Sequence, residues 1–400
     1  MGDPSSTVVI TAIGVASPYG LGLDFLEAGL LASQCRLGPV ARFSPGFAAT
    51  VGEYTGDLPN AGTLGPTLSR TDRLAIAAAR DAVGAAGADG LRDCGVVMAT
   101  TVAGLSELEP RLVTDPAAWY RAGGLERAAT YPVASVAEAV GDAVGALGPR
   151  CAVNVACASG AIAIALAAQM CLEGAAPAML AGGSDALCPF TLSGFHALQA
   201  LDPEACRPFD VDRRGLNIGE GAAVLRLETL ERARARRAPV LAVLRGWAMT
   251  NDGYHITAPH EQGRGLAGCM VEAMRAAGCV PDEIGYVNAH GTGTSLNDVA
   301  ESRAYAAAFS GRARPMPVSS TKSHFGHCLG AAGALEAVVT AIAIRRGALF
   351  PTLRLGNPVE CPEVDWLMGP PRRQALAAAM SVSAGFGGSN AALVLGAYLA

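Results

Sequence analysis

Three short stretches of this 400-residue chain carry side chains able to act as nucleophile, acid or base. Cys157 stands in VACASG, between the strand-like run 152–156 and a helix-like run from Ser159. A thiol at such a turn meets the positive end of a helix dipole and unpaired N–H groups, which favour thiolate over thiol. Its own backbone N–H, or a neighbour's, can also help hold an oxyanion. His290 follows the strand-like run 284–288 and opens HGTGT at 290–294, which is too rich in Gly and Thr to extend the strand. Lys322 and His327 share the stretch TKSHFGHCLGAAG, whose Gly-rich end leads into a helix.

Each residue also has a plainer role open to it. Most cysteines behave as small buried hydrophobes, and a lone histidine is as often a satisfied core or loop residue. The pair His324 and His327 in HFGH has no acidic third ligand nearby and is not read as a metal site.

The elements that must position these groups alternate between β-rich and Ala-rich runs. Strand-like 8–13 precedes helix-like 24–32, strand-like 94–98 precedes a mixed segment, and 152–156 precedes the run Ser159–Leu172. The scheme repeats in 240–244, 265–277, 284–288, 297–309, 316–320 and 330–345. Such order predicts an α/β fold. GEGAAVLRLE at 219–228 and GGSNAALVLG at 387–396 echo one another, each a Gly-rich turn before a strand-like run. Two similar halves are therefore expected, residues 1–237 and 238–400, packed face to face around a shared site.

At 51% hydrophobic and 16% charged residues the chain has ample material for a large core. A formal net charge of -5 argues against a sequence-independent grip on nucleic acid. The densest basic stretch, ERARARR at 231–237, sits at a helix end, where cations favour the C-terminal dipole. The eleven cysteines contain no C-x-x-C pair, so most are expected to be reduced core residues, and no N-terminal secretion signal is evident. The cytoplasm is the expected compartment. Residues 152–172 carry no charge, but Asn154, Ser159, Gly160 and Gln169 interrupt them, and an all-apolar helix suits the centre of a large protein. No membrane span is expected.

Taken together, VACASG, NAHGTGT, STKSHFGHCLGAAG and AGFGGSN resemble, in order and spacing, the motifs of elongating β-ketoacyl synthases. AGGSDA and CRPFDVDRRGLNIGEGAAVL extend the likeness over essentially the whole chain. The resemblance implies the thiolase fold, two duplicated βαβαβαββ halves in a five-layered αβαβα sandwich, as a homodimer or a heterodimer with a chain-length-factor-like homologue. It implies decarboxylative condensation of a cysteine-bound acyl chain with malonyl-acyl carrier protein, needing no cofactor beyond the carrier's phosphopantetheine arm and no metal.

The resemblance assigns Cys157 as nucleophile and His290 and His327 as N–H donors to the developing enolate. It pairs Lys322 with Glu336 and makes Asp298 and Glu301 supporting loop acids. Phe386 becomes the gating aromatic, its N–H joining that of Cys157 as the oxyanion pair. Thr292, Thr294, Val102 and Phe195 are the implied substrate contacts. Arg70, Arg73 and Arg207 are the implied carrier-protein dock, with internal ion pairing as the competing role.

Val155, His324, Phe325, Ser383 and Ala384 depart from residues common in the fatty-acid enzymes. They favour a specialised type II polyketide or polyene enzyme over fatty-acid elongation. A biosynthetic thiolase or an initiating enzyme of Cys-His-Asn type fits the two-histidine pattern poorly. A non-catalytic chain-length subunit would lack Cys157.

Overall fold

The computed structural model describes residues 3–59, 68–86, 91–114, 117 and 131–399. Its ten principal strands are β1 (Val8–Ser17), β2 (Gly95–Ala99), β3 (Arg150–Val153), β4 (Met179–Asp185), β5 (Gly221–Thr229), β6 (Ala242–Asn251), β7 (Ile284–Asn288), β8 (Met316–Ser319), β9 (Ala378–Gly385) and β10 (Ser389–Gly396). In β1 the run VVITAIGVAS is buried at every position, as expected of a strand covered on both faces.

The strands of the first half lie in the order β3-β2-β4-β5-β1, and those of the second in the order β8-β7-β9-β10-β6. Directions match as well. β4 runs parallel to β2 and β2 to β3, while β5 is antiparallel to β4 and β1. The second half repeats this with β9 parallel to β7, β7 to β8, and β10 antiparallel to β9 and β6. The echoing segments noted above form β5 and β10, which hold equivalent places in the two halves. A short antiparallel pairing of Val8 with Leu244 and Ile10 with Ala242 joins the halves, so the sheet is continuous through β1 and β6.

Three helical layers complete the sandwich. Helices α1 (Arg70–Ala86) and α2 (Ser135–Val144) pack together on the first half, and α5 (Arg264–Ala276) and α6 (Ser295–Ala308) on the second. Between the two halves of the sheet lie α3 (Ser159–Leu172) and α7 (Ala332–Arg346); α4 (Pro189–Ala197) flanks the site. The central pair crosses closely because its contact positions are glycines. A Cβ on Gly160 would fall 2.7 Å from the Ala334 nitrogen, and one on Gly333 would fall 2.6 Å from the Ala161 nitrogen. Any side chain there would push the layers apart.

The uncharged run 152–172 thus resolves into the end of β3, a turn and the 14-residue helix α3, which is enclosed on nearly all sides. Among the described residues no helix is long and apolar enough to cross a membrane. Two boundaries differ from the sequence reading. β3 stops at Val153 rather than at 156, because Ala156 takes the left-handed conformation with φ 47°. β8 stops at Ser319 rather than at 320, and Lys322 begins the single helical turn Lys322–Phe325.

Candidate active site

Cys157 sits on a tight elbow between β3 and α3. The left-handed Ala156 turns the chain, and Ser159 holds the turn by accepting from the Val155 N–H at 2.7 Å and donating to the Ala156 carbonyl at 2.5 Å. Ser159 was not assigned from sequence, although a serine at a helix start is a capping signal. Gly385, at the end of β9, closes over the elbow; a Cβ there would lie 3.1 Å from the Cys157 nitrogen and 3.2 Å from that of Ala158. The same approach brings the Phe386 N–H to the thiol.

The charge state of the thiol runs opposite to the sequence expectation. Burial pushes Cys157 up to about 11, against the opposing pull of the Lys322 ammonium and the Phe386 N–H. Withdrawing a thiolate from water costs more than one ammonium and the helix terminus return. The resting group is a thiol.

His290 leads the HGTGT loop after β7, and two buried carboxylates of α6 shape that loop. Glu301 accepts the N–H groups of His290 and Gly291 at 2.7 Å each and the Tyr305 hydroxyl at 2.5 Å. Asp298 accepts from the N–H groups of Thr292, Gly293 and Phe209. Both acids therefore act on backbone, as positioning groups rather than as substrate contacts. The Thr292 and Thr294 hydroxyls lie 2.9 Å apart at the cavity wall.

Lys322 is buried at the centre of the site. Its ammonium is bonded to Glu336, to the His290 carbonyl at 2.5 Å and to His290 Nδ1 at 3.3 Å. An ammonium can only donate, so Nδ1 accepts and the single proton of a neutral His290 resides on Nε2. The His290 and His327 rings stand 5.3 Å apart and nearly perpendicular. His327 is held by its backbone, its N–H donating to the Asn217 carbonyl at 2.8 Å and its carbonyl accepting from Gly219 at 2.9 Å. Neither ring nitrogen of His327 bonds to a described protein group, though both are buried. Burial, reinforced by Lys322, holds both imidazoles well below their ordinary value near 6.5, so both are neutral at physiological pH.

A cavity of about 290 Å³ joins these groups. Cys157, His290, His327, Thr292, Thr294, Phe195 and Phe386 all line it. Phe386 is 38% exposed and stacks on Phe195 with centroids 5.8 Å apart, at the place where a mobile aromatic would control entry. Val102 does not line the cavity. It is buried behind the cavity wall in an apolar cluster with Leu187, Leu192 and Leu216, of which Leu216, like the Phe195 packed on it, reaches the cavity.

Arg213 and Arg214 line the cavity, although the sequence reading passed over them inside the quoted CRPFDVDRRGLNIGEGAAVL segment. Arg213 donates to the carbonyls of Thr294 and Ser295, and Arg214 pairs with Glu204 at 2.6 Å. The three expected dock arginines diverge. Arg70 is spent internally, its guanidinium bonded to the fully buried Glu220 at 2.6 Å and to the Tyr54 carbonyl, so it is not available as a surface cation. Arg73 donates to the Pro59 and Leu58 carbonyls. Arg207 makes a loose 3.8 Å pair with the exposed Glu204, helps to hold Asp210 ionised, and keeps a partly accessible side chain.

A buried cysteine on an elbow, two neutral histidines and a lysine-carboxylate pair on a duplicated five-layer fold define a condensing enzyme of the thiolase superfamily. The chain belongs to the beta-ketoacyl synthase family: the N-terminal domain model of that family matches residues 5–233 and the C-terminal domain model matches 241–356. It is an acyltransferase. It is 35% identical to 3-oxoacyl-[acyl-carrier-protein] synthase 2 of Synechocystis, over 98% of both chains. It is 36% identical to the putative polyketide beta-ketoacyl synthase 1 of Streptomyces halstedii, again over 98% of both. Among solved structures, the ishigamide ketosynthase/chain length factor superposes with a TM-score of 0.90 at 30% identity, covering 98% of this chain and 99% of that one.

Proposed function

We propose that this enzyme condenses an acyl chain carried on Cys157 with a malonyl unit carried by an acyl carrier protein, within type II polyketide or polyene assembly. The observation that carries the reading is the pair of neutral imidazoles: His290 with its proton directed to Nε2 by Lys322, and His327 with both ring nitrogens unclaimed by the described protein, in one cavity with Cys157.

The chemistry follows from these groups. The Cys157 sulfur attacks the acyl thioester while its proton passes to the departing carrier sulfur, so the carrier leaves as a thiol and the acyl group is left on Cys157. The N–H groups of Cys157 and Phe386 stabilise the tetrahedral oxyanion of this step. The malonyl carboxylate then leaves as CO2, and its bonding electrons form an enolate whose oxygen accepts N–H bonds from His290 and His327. The enolate carbon attacks the acyl carbonyl, the C–S bond breaks, and the departing Cys157 thiolate takes up a proton from solvent. Neutral donors suit this sequence, because an imidazolium would pair with the malonyl carboxylate and hold back CO2.

The names of the relatives support an acyl carrier protein as donor and a chain-length-factor-like homologue as partner, with a homodimer as the other arrangement. Arg207 is the proposed dock cation and the cytoplasm the proposed compartment. No cofactor is proposed. The likeness to the Synechocystis enzyme supports a second reading, condensation within fatty-acid elongation; co-purification from the native host with intact-mass analysis of the complex separates the two.

The test is acylation of the wild-type protein and Cys157→Ala by acyl carrier proteins, read by intact mass. Wild type gains one acyl mass and the variant none. Loading that survives in the variant at the normal rate overturns the assignment.

A further inference from the structure

We infer that His324, which no catalytic step above uses, is a positioning residue that holds the Lys322–His327 turn in register with Cys157. This rests on the condensation chemistry just proposed and concerns the same site.

His324 is fully buried between the two halves of the molecule. On one side its Nε2 lies 2.8 Å from the Pro351 carbonyl. On the other, Nδ1 lies 3.2 Å from the Tyr19 hydroxyl, which comes from the first half and reaches the Gln34 carbonyl at 2.6 Å. The His324 carbonyl accepts the Arg36 N–H at 2.7 Å. The neighbouring Phe325 packs edge-on against the Tyr19 ring, with centroids 6.2 Å apart. The turn is thus pinned to the first half through Tyr19, Gln34 and Arg36, and to the second through Pro351.

The tautomer follows from the partners. A carbonyl can only accept, so Pro351 requires the His324 proton on Nε2. With the His324 proton on Nε2, Nδ1 can only accept, and the single Tyr19 hydroxyl proton is shared between the Gln34 carbonyl at 2.6 Å and Nδ1 at 3.2 Å. Charging the ring would gain little: burial lowers His324 to about 4, and Arg354 works in the same direction. The groups that face it are Tyr19, Arg354 and backbone carbonyls, with Arg36 stacked over the Tyr19 ring at 5.7 Å. His324 therefore stays neutral over the working range, with Nε2–H···O=C as its constant anchor.

The turn presents Lys322 at one end and His327 at the other. His327 has no side-chain bond among the described residues, so the aim of its ring depends wholly on the backbone around it. Asn217 and Gly219 hold that backbone on one side, and His324 holds the turn on the other. Cys157 stands on a separate elbow, braced by Ser159 and Gly385. Loosening His324 should accordingly disturb decarboxylation and condensation and leave acyl loading alone.

The test compares His324→Leu, His324→Gln and His324→Asn in the full-length enzyme. Three readouts are taken: acylation of Cys157 by intact mass, CO2 release from malonyl carrier protein, and kcat and KM of condensation. Leucine cannot donate, and it leaves the Pro351 carbonyl buried without a partner. His324→Leu should lower CO2 release and kcat by about tenfold to a hundredfold, with KM and the loading rate within about twofold of wild type. Glutamine can place an N–H near the Nε2 position and should recover activity to within about threefold, whereas the shorter asparagine should not. Equal losses in loading and decarboxylation, or wild-type kcat in His324→Leu, would overturn the inference. If His324→Leu fails to fold, the glutamine and asparagine variants decide: the same kcat in both overturns it, and a deficit confined to asparagine supports it. Failure of wild type to acquire an acyl group would instead strike the functional reading.

Discussion

The Lys322 ammonium is bonded to the Glu336 carboxylate where both side chains are 2% exposed, and the same ammonium fixes the proton of His290. Burial pushes Glu336 up to about 7, against the pull of Lys322, so the pair is held by contact rather than by a comfortable environment for charge. Removing one partner strands the other. Glu336→Gln and Lys322→Met should each destabilise the fold by about 3–5 kcal/mol, and the double variant by clearly less than their sum. Denaturant titration of the four proteins measures this; strict additivity would show that the pair is not coupled. The double variant should remain inactive in decarboxylation, since no ammonium then directs the His290 proton to Nε2.

The resting Cys157 thiol gives a second test. With its value near 11, alkylation by iodoacetamide should rise about tenfold per pH unit through pH 8 to 10, without the plateau near neutrality expected of a thiolate at a helix terminus. Lys322 lowers Cys157, so Lys322→Met should slow alkylation at pH 8. A plateau below pH 8 would show that the dipole outweighs burial.

His290→Ala and His327→Ala should lower malonyl decarboxylation by roughly a hundredfold to a thousandfold and leave acyl loading of Cys157 nearly intact, because enolate charge develops only in the later step. Near-wild-type condensation at saturating substrate in either variant would reduce that histidine to a structural role.

The buried imidazoles also set a pH dependence of stability. The folded values of His290 and His327 lie below the unfolded value near 6.5, so the unfolded chain binds more protons in that window. Their contribution is complete above pH 6.5 and is lost as pH falls toward the folded values. Burial moves Glu301 and Glu336 up, to about 6 and about 7, which gives the opposite slope in the overlapping range. The difference between wild type and His327→Ala isolates the histidine. It should grow in favour of wild type as pH rises toward 6.5 and stay level above, as read by urea unfolding at each pH. A difference independent of pH would mean that His327 is not held neutral by the fold.

Arg70 and Arg207 separate the internally paired from the accessible cation. Arg70→Glu would press a carboxylate against the fully buried Glu220 and should prevent stable folding, whereas Arg207→Glu should leave stability unchanged. Arg207→Glu should raise KM for carrier-bound substrate in a salt-sensitive way and leave turnover of a small thioester mimic unaltered. An equal loss on both substrates would remove Arg207 from the dock.

Much of this molecule was legible in one dimension. Cys157 and His290 announce themselves because each follows a strand-like run at a turn, and Lys322 and His327 because they share one stretch whose Gly-rich end leads into a helix, local patterns that need no knowledge of remote neighbours. The duplication was readable for the same reason, since β5 and β10 repeat one short motif. What the tertiary structure alone decided are quantities set by distant atoms. Cys157 sits at a helix start, as its motif implies, yet segments from both halves bury it and raise its thiol. Nothing local separates Arg70 from Arg207 as a surface cation, but Glu220, 150 positions from Arg70, claims only the former. Val102 lies behind the cavity wall rather than in it, and His324, a poor metal-ligand candidate in sequence, meets Tyr19 and Pro351 in space. Chain pattern specifies local geometry; desolvation and pairing depend on which remote groups the fold brings within a few ångströms, and that is decided only when the layers pack.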